Sequence, residues 1–400
     1  MRDQIRTLTL LSAALLAACS APVATSTATP TPSATATLAA TETPRQSSPA
    51  PTASPVVSPT PRPGVTARAA QLPAEYQLMT LGSDGYRLAA MDLTGAHRHV
   101  ELATWQMPDR RPDTWGDLLS ASSDGRRVAI LGTGARGTAA LYLVDTAGGT
   151  VKTLFDDANE HAAAPVLSGD GTQIAFLKLP VAQNASSITE TGIFAGAVDD
   201  PASWRRIVNP LVPNTMAPLA WSPDGRWLAF VRLSIGGDVW LVRSDGSETI
   251  RVGRGTQADW RSWEPRLLVS GPSNGGGGTG VWTFNVTTRA LRQIVTPPDD
   301  SRSVVGARWH PRLDRILYVE TDFQAPGAPV SVWTRYADGR NATKVYEAGF
   351  LNRVHWSADG SRIYATIGGD DSTFSIADVL TRQGGTRGCW RGELTAPVCV

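Results

Sequence analysis

Residues 221–230 read Trp-Ser-Pro-Asp-Gly-Arg-Trp-Leu-Ala-Phe, and this stretch decides the fold. The proline presets the backbone φ angle to about −65°, and the aspartate side chain can accept hydrogen bonds from nearby backbone N–H groups. The glycine can adopt the positive φ that brings the chain back antiparallel to itself. The apolar residues that follow predict a strand on the far side of this turn.

The same pattern of Ser-x-Asp-Gly, two further residues and an apolar strand occurs in four copies along the chain. Weaker copies at 263–269 and 310–318 fill the gap before the last copy, and the first of these carries Glu264-Pro265 in place of Asp-Gly. The mean spacing is about 47 residues, which is typical of a repeated structural unit. We assign a role in turns, and not in catalysis, to the Asp and Gly residues of the four strong copies: Asp124, Gly125, Asp170, Gly171, Asp224, Gly225, Asp359 and Gly360.

A second repeated feature follows each hairpin. Residues 141–148, 239–246 and 332–339 each read as a strand that ends in a turn, with a looser copy at 281–286, and a further short strand comes next. Each unit therefore has four antiparallel strands, lettered a to d from here on. Four-stranded units repeated at this period indicate an all-β chain folded as a β-propeller.

The number of blades follows from the period. Residues 75–400 have room for seven blades, with six as the alternative. The segment that starts at Tyr76 supplies only part of a first blade, in which residues 88–95 match the strand-c pattern. We expect the C-terminus to supply the missing strand, since propellers commonly close their ring in this way.

Residues 221–230 resemble the WSPDG repeat of TolB-type propellers, a WD-repeat-like family, and residues 355–360 (His-Trp-Ser-Ala-Asp-Gly) are a near copy. The resemblance covers about residues 75–400. It implies the propeller fold and is a weak guide to function, because the repeat is a turn motif. The fifth unit departs from it at Glu264-Pro265, which leaves the geometry of that turn open.

The first 74 residues have the composition of a signal peptide followed by a tether. Residues 1–18 combine a basic start with an apolar run that is too short to span a bilayer, and they end directly before Cys19. This resembles the bacterial lipoprotein lipobox, which implies cleavage before Cys19 and its lipidation; an ordinary secretory signal is the alternative. Residues 19–74 consist mostly of Ala, Thr, Pro and Ser, so we expect a disordered linker.

The lipoprotein resemblance implies an extracytoplasmic location with a lipid anchor. The membrane would be the outer leaflet of the cell membrane, or the outer membrane in a diderm. The chain has three cysteines, so Cys389 and Cys399 remain once Cys19 is lipidated. We expect these two to form a disulfide outside the cytoplasm, with two unpaired thiols as the alternative.

Charge and motifs argue against several functional classes. The formal net charge of +1 and the 18% of charged residues argue against a nucleic-acid partner. Residues 271–275 match Gly-x-Ser-x-Gly but continue into further glycines, so the helix that a nucleophile elbow needs is not predicted. His97 and His99 have no neighbours that complete a zinc site. We therefore predict no catalytic residue, no metal site and no cofactor.

The connections between strands differ on the two faces of the predicted disc. The a–b and c–d turns are short and alike, whereas the variable segments are nearly all b–c or d–a connections. Binding residues concentrate in variable loops on a rigid scaffold, so Trp105, Trp115 and Phe323 are candidate contacts on the second face. The alternative is that these aromatic side chains only pack the loops.

The sequence thus predicts a monomeric, membrane-tethered propeller that acts as a non-catalytic binding or scaffold module for a protein or peptide. A propeller that binds carbohydrate or cell-wall glycan is one alternative, favoured if exposed tryptophans lie on the loops. A propeller enzyme, a lyase or hydrolase with dispersed site residues, is the other.

Replacement of the lipidated residue, Cys19→Ala, tests the anchor. Each buried acyl CH₂ contributes about 0.8 kcal/mol, so several chains on one residue retain a protein at the bilayer. We expect incorporation of an alkyne fatty acid to fall to background and the protein to leave the membrane pellet. The variant Cys389→Ala should keep both properties, and labelling that survives Cys19→Ala would contradict the assignment.

Overall fold

The computed structural model describes residues 64–73, 76–81, 86–92, 99–107, 118–181, 191–209, 216–232, 237–271, 280–297, 302–322, 329–348, 353–370 and 373–378. The chain divides into two units, Met1–Pro59 and Thr60–Val400, and the first lies wholly outside the described residues. The signal peptide, Cys19, Cys389 and Cys399 also lie outside them. None of the helices among the described residues is long and apolar enough to cross a bilayer.

Seven antiparallel sheets follow one another along the described chain, six with four strands and the last with three. This confirms the all-β propeller and the count of seven blades. A single short 3-10 turn, Pro201–Ser203, interrupts the described strands. The strands of the seven blades are, in order, β1 (Val65–Ala67), β2 (Tyr76–Leu81), β3 (Tyr86–Asp92) and β4 (His99–Trp105); β5 (Leu119–Ala121), β6 (Arg127–Thr133), β7 (Ala139–Asp145) and β8 (Thr150–Phe155); β9 (Glu160–Leu167), β10 (Gln173–Pro180), β11 (Gly192–Ala197) and β12 (Arg205–Val208); β13 (Met216–Trp221), β14 (Trp227–Arg232), β15 (Asp238–Arg243) and β16 (Thr249–Arg254); β17 (Gln257–Trp260), β18 (Arg266–Ser270), β19 (Val281–Asn285) and β20 (Leu291–Val295); β21 (Arg302–Trp309), β22 (Arg315–Asp322), β23 (Val330–Tyr336) and β24 (Thr343–Ala348); and β25 (Arg353–Trp356), β26 (Ile363–Asp370) and β27 (Thr373–Asp378).

The second to sixth blades pair their strands in chain order, from a to d. The a strands β5, β9, β13, β17, β21 and β25 contact one another in sequence, so they form the inner layer of the ring. Strands b and c are buried on both faces by the neighbouring blades, and this is why they consist of nearly continuous apolar runs. The fully buried side chains of Phe176 and Phe230, both on b strands, are among the largest in this core.

Each a–b turn from the second to the seventh blade is closed by one backbone hydrogen bond. The N–H of the residue after strand a donates to the carbonyl five residues on, at 2.7 to 3.0 Å in all six turns. In the motif turns the serine also takes part: Ser222 Oγ donates to Asp224 Oδ1 at 2.6 Å and accepts from the N–H of Trp227 at 2.9 Å. Gly225 has a φ of +66°, the region that favours glycine.

In three of the motif turns the hydrogen bond from the serine hydroxyl favours the charged form of the carboxylate. This hydrogen bond is the main reason why the pKa values of Asp124, Asp170 and Asp359 are lowered, and backbone N–H groups add to the effect. The carboxylates are therefore occupied by the turn itself. The a–b turns lie beside the c–d turns, since Thr146 Oγ1 donates to the carbonyl of Gly125 at 2.9 Å. This side of the disc is called the turn face, and the opposite side the loop face.

The first blade contains a strand that the sequence does not reveal. Its strand order is β1-β4-β3-β2, and β1 pairs antiparallel with β4 at the edge of the sheet, with Val65 opposite Trp105. The segment after β1 continues onto the second blade, where the N–H of Ala70 donates to the carbonyl of Thr146 at 3.0 Å. The tether boundary predicted at residue 74 is therefore too late, because residues 64–73 pack on the propeller. The fourth strand of the first blade is thus β1, and the expectation that the C-terminus supplies the missing strand of this blade is wrong.

A buried side chain explains why β1 packs against the propeller. Val65 is fully buried in the core between the first and second blades, whereas Thr66 points outward. A strand of three residues in an Ala- and Thr-rich segment shows no periodicity, so only the tertiary contact distinguishes it from the linker.

The variant Val65→Ala measures what this strand contributes. Removing two buried methyl-sized groups and leaving a cavity costs about 2 kcal/mol of unfolding free energy. We expect the urea midpoint of the full chain to fall accordingly, while the outward-facing control Thr66→Ala changes it little. Equal effects of the two substitutions would show that β1 is not docked as described.

Candidate functional site

Of the three aromatic residues predicted as contacts on the loop face, only Trp105 lies within the part of the chain that the structure describes. Trp105 is 3% exposed and stacks on Tyr86, with 5.6 Å between ring centroids. Its position at the end of β4 places it in the core between the first two blades, so it is not a surface contact. Trp115 and Phe323 lie outside the described residues, and for them the loop-face assignment stays a prediction.

The a–b turn of the fifth blade has the same closing backbone hydrogen bond, from the N–H of Arg261 to the carbonyl of Arg266, although its side chains differ from those of the motif. Trp260 Nε1 donates to the carbonyl of Ala220 at 3.1 Å, as Trp221 Nε1 does to Val166 at 3.0 Å. Trp260 therefore occupies the first position of the motif. Counting from it, Trp263 and Glu264 stand where the motif has Asp and Gly, so the sequence alignment on Glu264-Pro265 is wrong by one residue.

Arg261 takes the place of the motif serine and ties the fifth blade to the sixth. Its side chain is only 8% exposed and pairs with Glu264 at 2.7 Å and with Asp314 of the next turn at 3.0 Å. The guanidinium carbon lies 4.6 Å from the ring centroid of Trp263 and 5.1 Å from that of Trp309. A buried arginine between two rings and two carboxylates holds Trp263 from one side and leaves its other side to solvent.

His310 replaces the serine in the sixth blade. Its Nδ1 accepts the backbone N–H groups of Arg312 and Leu313, both at 3.0 Å. This assigns the proton to Nε2, which donates to the carbonyl of Gly360 in the seventh blade at 3.1 Å. Burial is the main reason why the pKa of His310 is lowered, so the neutral ring is the form that fits these bonds.

The two altered turns expose apolar side chains. Among the described residues four large hydrophobic side chains are exposed, and two of them are Trp263 (47%) and Leu313 (48%). Leu313 stands where the motif has glycine, as Trp263 stands where it has aspartate. The two turns are linked through the Arg261–Asp314 ion pair, so these apolar side chains belong to one surface on the turn face.

A cleft of about 250 Å³ lies between the fifth and sixth blades on the same face. Its polar lining includes the side chains of Arg266, Thr283, Asn285, Arg292, Asp314 and Asp338. Both charges are present, and most of these charged groups already have partners, such as Glu264 for Arg266 at 2.8 Å. The pKa of Asp338 is lowered mainly by the backbone N–H and side chain of Arg340, with a smaller contribution from Arg292.

The turns that surround this cleft are strongly basic. Four segments, 261–266, 285–292, 310–315 and 335–340, form what we call the basic patch. Eight arginines stand there against three carboxylates, although the whole chain has a net charge of only +1. The arginines are Arg261, Arg266, Arg289, Arg292, Arg312, Arg315, Arg335 and Arg340, and the carboxylates are Glu264, Asp314 and Asp338.

A partly buried carboxylate on the inner strand β17 has a structural role. Asp259 Oδ2 accepts the N–H of Trp309 at 2.7 Å, which joins the fifth and sixth a strands. Burial raises the pKa of Asp259, while the charge of Arg308 and the bond from Trp309 act in the opposite direction. Across the described ranges no group of three or more His, Cys, Asp or Glu residues is arranged to hold a metal ion.

Neither a family model nor a curated protein matches the chain. Among solved structures, a prolyl endopeptidase is 16% identical with a TM-score of 0.55 over 79% of this chain and 50% of that chain, so this chain spans half its length. The β-propeller domain of the Trilobed protease from Pyrococcus furiosus is 10% identical with a TM-score of 0.51, over 81% of this chain and 97% of that one. TolB from Acinetobacter baumannii is 13% identical with a TM-score of 0.43, over 77% of both chains.

The two likenesses with a TM-score above 0.5 agree with the β-propeller fold. The neighbours include both TolB and peptidases, and at such identities they carry no information about activity. Nothing in the sequence pattern predicted Arg261, Trp263 or Leu313 as residues of a binding surface. The available signal was the loss of Ser-x-Asp-Gly in two consecutive units.

The variant His310→Asn tests the histidine turn through its pH dependence. The folded state lowers the pKa of His310 below its ordinary value of 6.5, so its contribution to stability is complete above that pH and is lost as the pH falls through the folded pKa. An asparagine oxygen can accept the same N–H groups without titrating. We expect thermal unfolding between pH 8 and pH 5 to show a smaller loss in this variant.

Part of the wild-type pH dependence will remain in that variant, because burial also lowers the pKa of His161. His161→Asn is the matched control, and it should remove a separate part of the pH dependence of stability. An unchanged pH profile in His310→Asn would contradict the proposed hydrogen-bond geometry.

Proposed function

We propose that the propeller is a non-catalytic binding module that takes a protein or peptide partner on the turn face of the fifth and sixth blades. We also propose that the N-terminal segment tethers it outside the cytoplasm through a lipidated Cys19. The observation that carries the first proposal is the exposure of Trp263 and Leu313 on adjacent turns. The tether rests on the sequence of residues 1–63.

The environment of Trp263 suits an interface. Tryptophan and arginine are enriched among the residues that dominate binding energy, and such residues lie within a polar surround. Arg261 already packs on one side of the ring, so the side chain loses little freedom when a partner covers the other side. The backbone bond from Leu313 to His310 likewise holds that turn before binding.

A glycan is the second candidate, because the free side of Trp263 could also stack on a sugar ring. Leu313 favours the peptide, since an aliphatic side chain offers no hydrogen bond to sugar hydroxyl groups. A catalytic role has support only from likeness of fold to enzymes, among them peptidases and an oligogalacturonate lyase, and a fold hosts many activities.

Photo-cross-linking of the full chain in its own cells tests this surface. Leu313 is replaced by p-benzoylphenylalanine, and we expect a protein adduct on irradiation. The additional substitution Trp263→Ala should reduce the adduct at least severalfold, because truncating a central aromatic contact commonly costs 2 kcal/mol or about 30-fold in affinity.

The matched control carries the same probe at Val181, which is 41% exposed on the loop face of the third blade. An adduct at position 181 and none at 313 would assign the partner to the loop face. An adduct at 313 that Trp263→Ala leaves unchanged would remove Trp263 from the interface.

A further inference from the structure

The residues around Trp263 and Leu313 also indicate the chemistry of the partner, and this inference rests on the proposed function. The apolar pair Trp263 and Leu313 lies within the basic patch, beside the cleft between the fifth and sixth blades. A partner that covers the apolar pair must also meet the arginines. The question is therefore which charge the partner must carry.

The pairing of the arginines decides how much positive charge is available. Arg261 and Arg266 bond to carboxylates of the patch, and Arg289 reaches Glu248 of the fourth blade at 2.6 Å. Arg292 and Arg312 form no ion pair and no side-chain hydrogen bond with other described residues, and each has only a weaker charge interaction, Arg292 with Asp338 and Arg312 with Asp359. Both are exposed, so the N–H donors of their guanidinium groups can reach a ligand.

An unpaired guanidinium group favours an anionic ligand. Arginine presents a planar fork of N–H donors that matches a carboxylate with two parallel hydrogen bonds. A surplus of one charge on one patch also raises the association rate of a ligand of opposite charge. A basic ligand would meet like charges and lose affinity.

The size of the cleft restricts what enters it. Its volume of about 250 Å³ lies below the roughly 300–1,000 Å³ of sites that enclose drug-sized ligands. It can take a side chain or two from an extended segment. Thr283 Oγ1 donates to the carbonyl of Arg292 at 3.4 Å, and Asn285 Oδ1 accepts the N–H groups of Thr287 and Thr288, both at 2.9 Å. The Nδ2 group of Asn285 is the donor that this lining offers to a peptide carbonyl.

We infer that the partner segment is an acidic, extended peptide. Its carboxylates pair with Arg292 and Arg312, and an apolar side chain between them contacts Trp263 and Leu313. The exposed side of Trp263 and the aliphatic Leu313 supply the apolar contact, and the cleft receives the residue that follows along the peptide.

Fluorescence anisotropy with the full chain in detergent tests the inference. The probe is a fluorescein-labelled peptide of three Glu-Leu-Glu-Ser repeats, compared with its Gln-Leu-Gln-Ser counterpart. We expect the acidic peptide to bind at least about tenfold more tightly, and its affinity to fall as salt is raised because exposed charges are screened.

Charge-neutralising variants show which arginines produce the preference for the acidic peptide. Arg292→Gln and Arg312→Gln should each weaken the acidic peptide about two- to fivefold and leave the glutamine peptide unchanged. Arg136→Gln is the matched control, since Arg136 is exposed between β6 and β7 on the loop face and the substitution changes the net charge equally. Circular dichroism and the unfolding midpoint verify that each variant is folded.

Three outcomes would overturn the inference. They are equal binding of the two peptides, an effect of Arg136→Gln as large as that of Arg292→Gln, and a soluble polyuronate that binds more tightly than the peptide and loses affinity in Arg292→Gln. The last outcome would assign an anionic glycan. A cross-link at position 313 with charge-independent binding would retain the proposed surface and reject only its acidic ligand.

Discussion

The hydrogen bond that closes each a–b turn is the interaction on which the rest of the structure depends. It joins the same two backbone positions in all six described turns, whatever side chains accompany it. Where the side chains are Ser222 and Asp224, they form a hydrogen bond with one another and are satisfied within the turn. Where Arg261 or His310 stands instead, the side chain bonds to the next blade, and Trp263 and Leu313 occupy the freed positions. The backbone bond thus permits both kinds of turn.

The turns also link neighbouring blades in a chain of short contacts. Arg127 donates to the carbonyl of Gly171, Arg261 pairs with Asp314, and His310 donates to the carbonyl of Gly360. Each contact joins the turn of one blade to that of the next. A surface built on such turns is held in place before a ligand arrives, which lowers the ordering cost of binding. The rigid short turns are for this reason as suitable for recognition as the longer loops.

Several features of the fold could be predicted and others could not. The propeller fold and the preference for seven blades follow from the turn chemistry of Asp-Gly and from the period of the repeat, both of which are local. Strand β1 has only Val65–Ala67 and no period, so its pairing with β4 depends on a contact between distant residues. Trp105 precedes a long connection and reads as a loop residue, yet it lies in the core. The alignment of the fifth turn needed the bond from Trp260 to reveal its true position.

The amino-acid sequence by itself determined that this chain is a β-propeller and favoured seven blades over six, because hairpin turns and apolar strands are specified by residues that are neighbours along the chain. Only the tertiary structure decided which aromatic side chains are buried and which form a surface. Trp105 and Trp263 are the same residue type, and their exposure of 3% and 47% depends on what other blades place around them. Likewise, the surplus of arginine at the fifth and sixth blades becomes one patch only when four separate turns are brought to the same face.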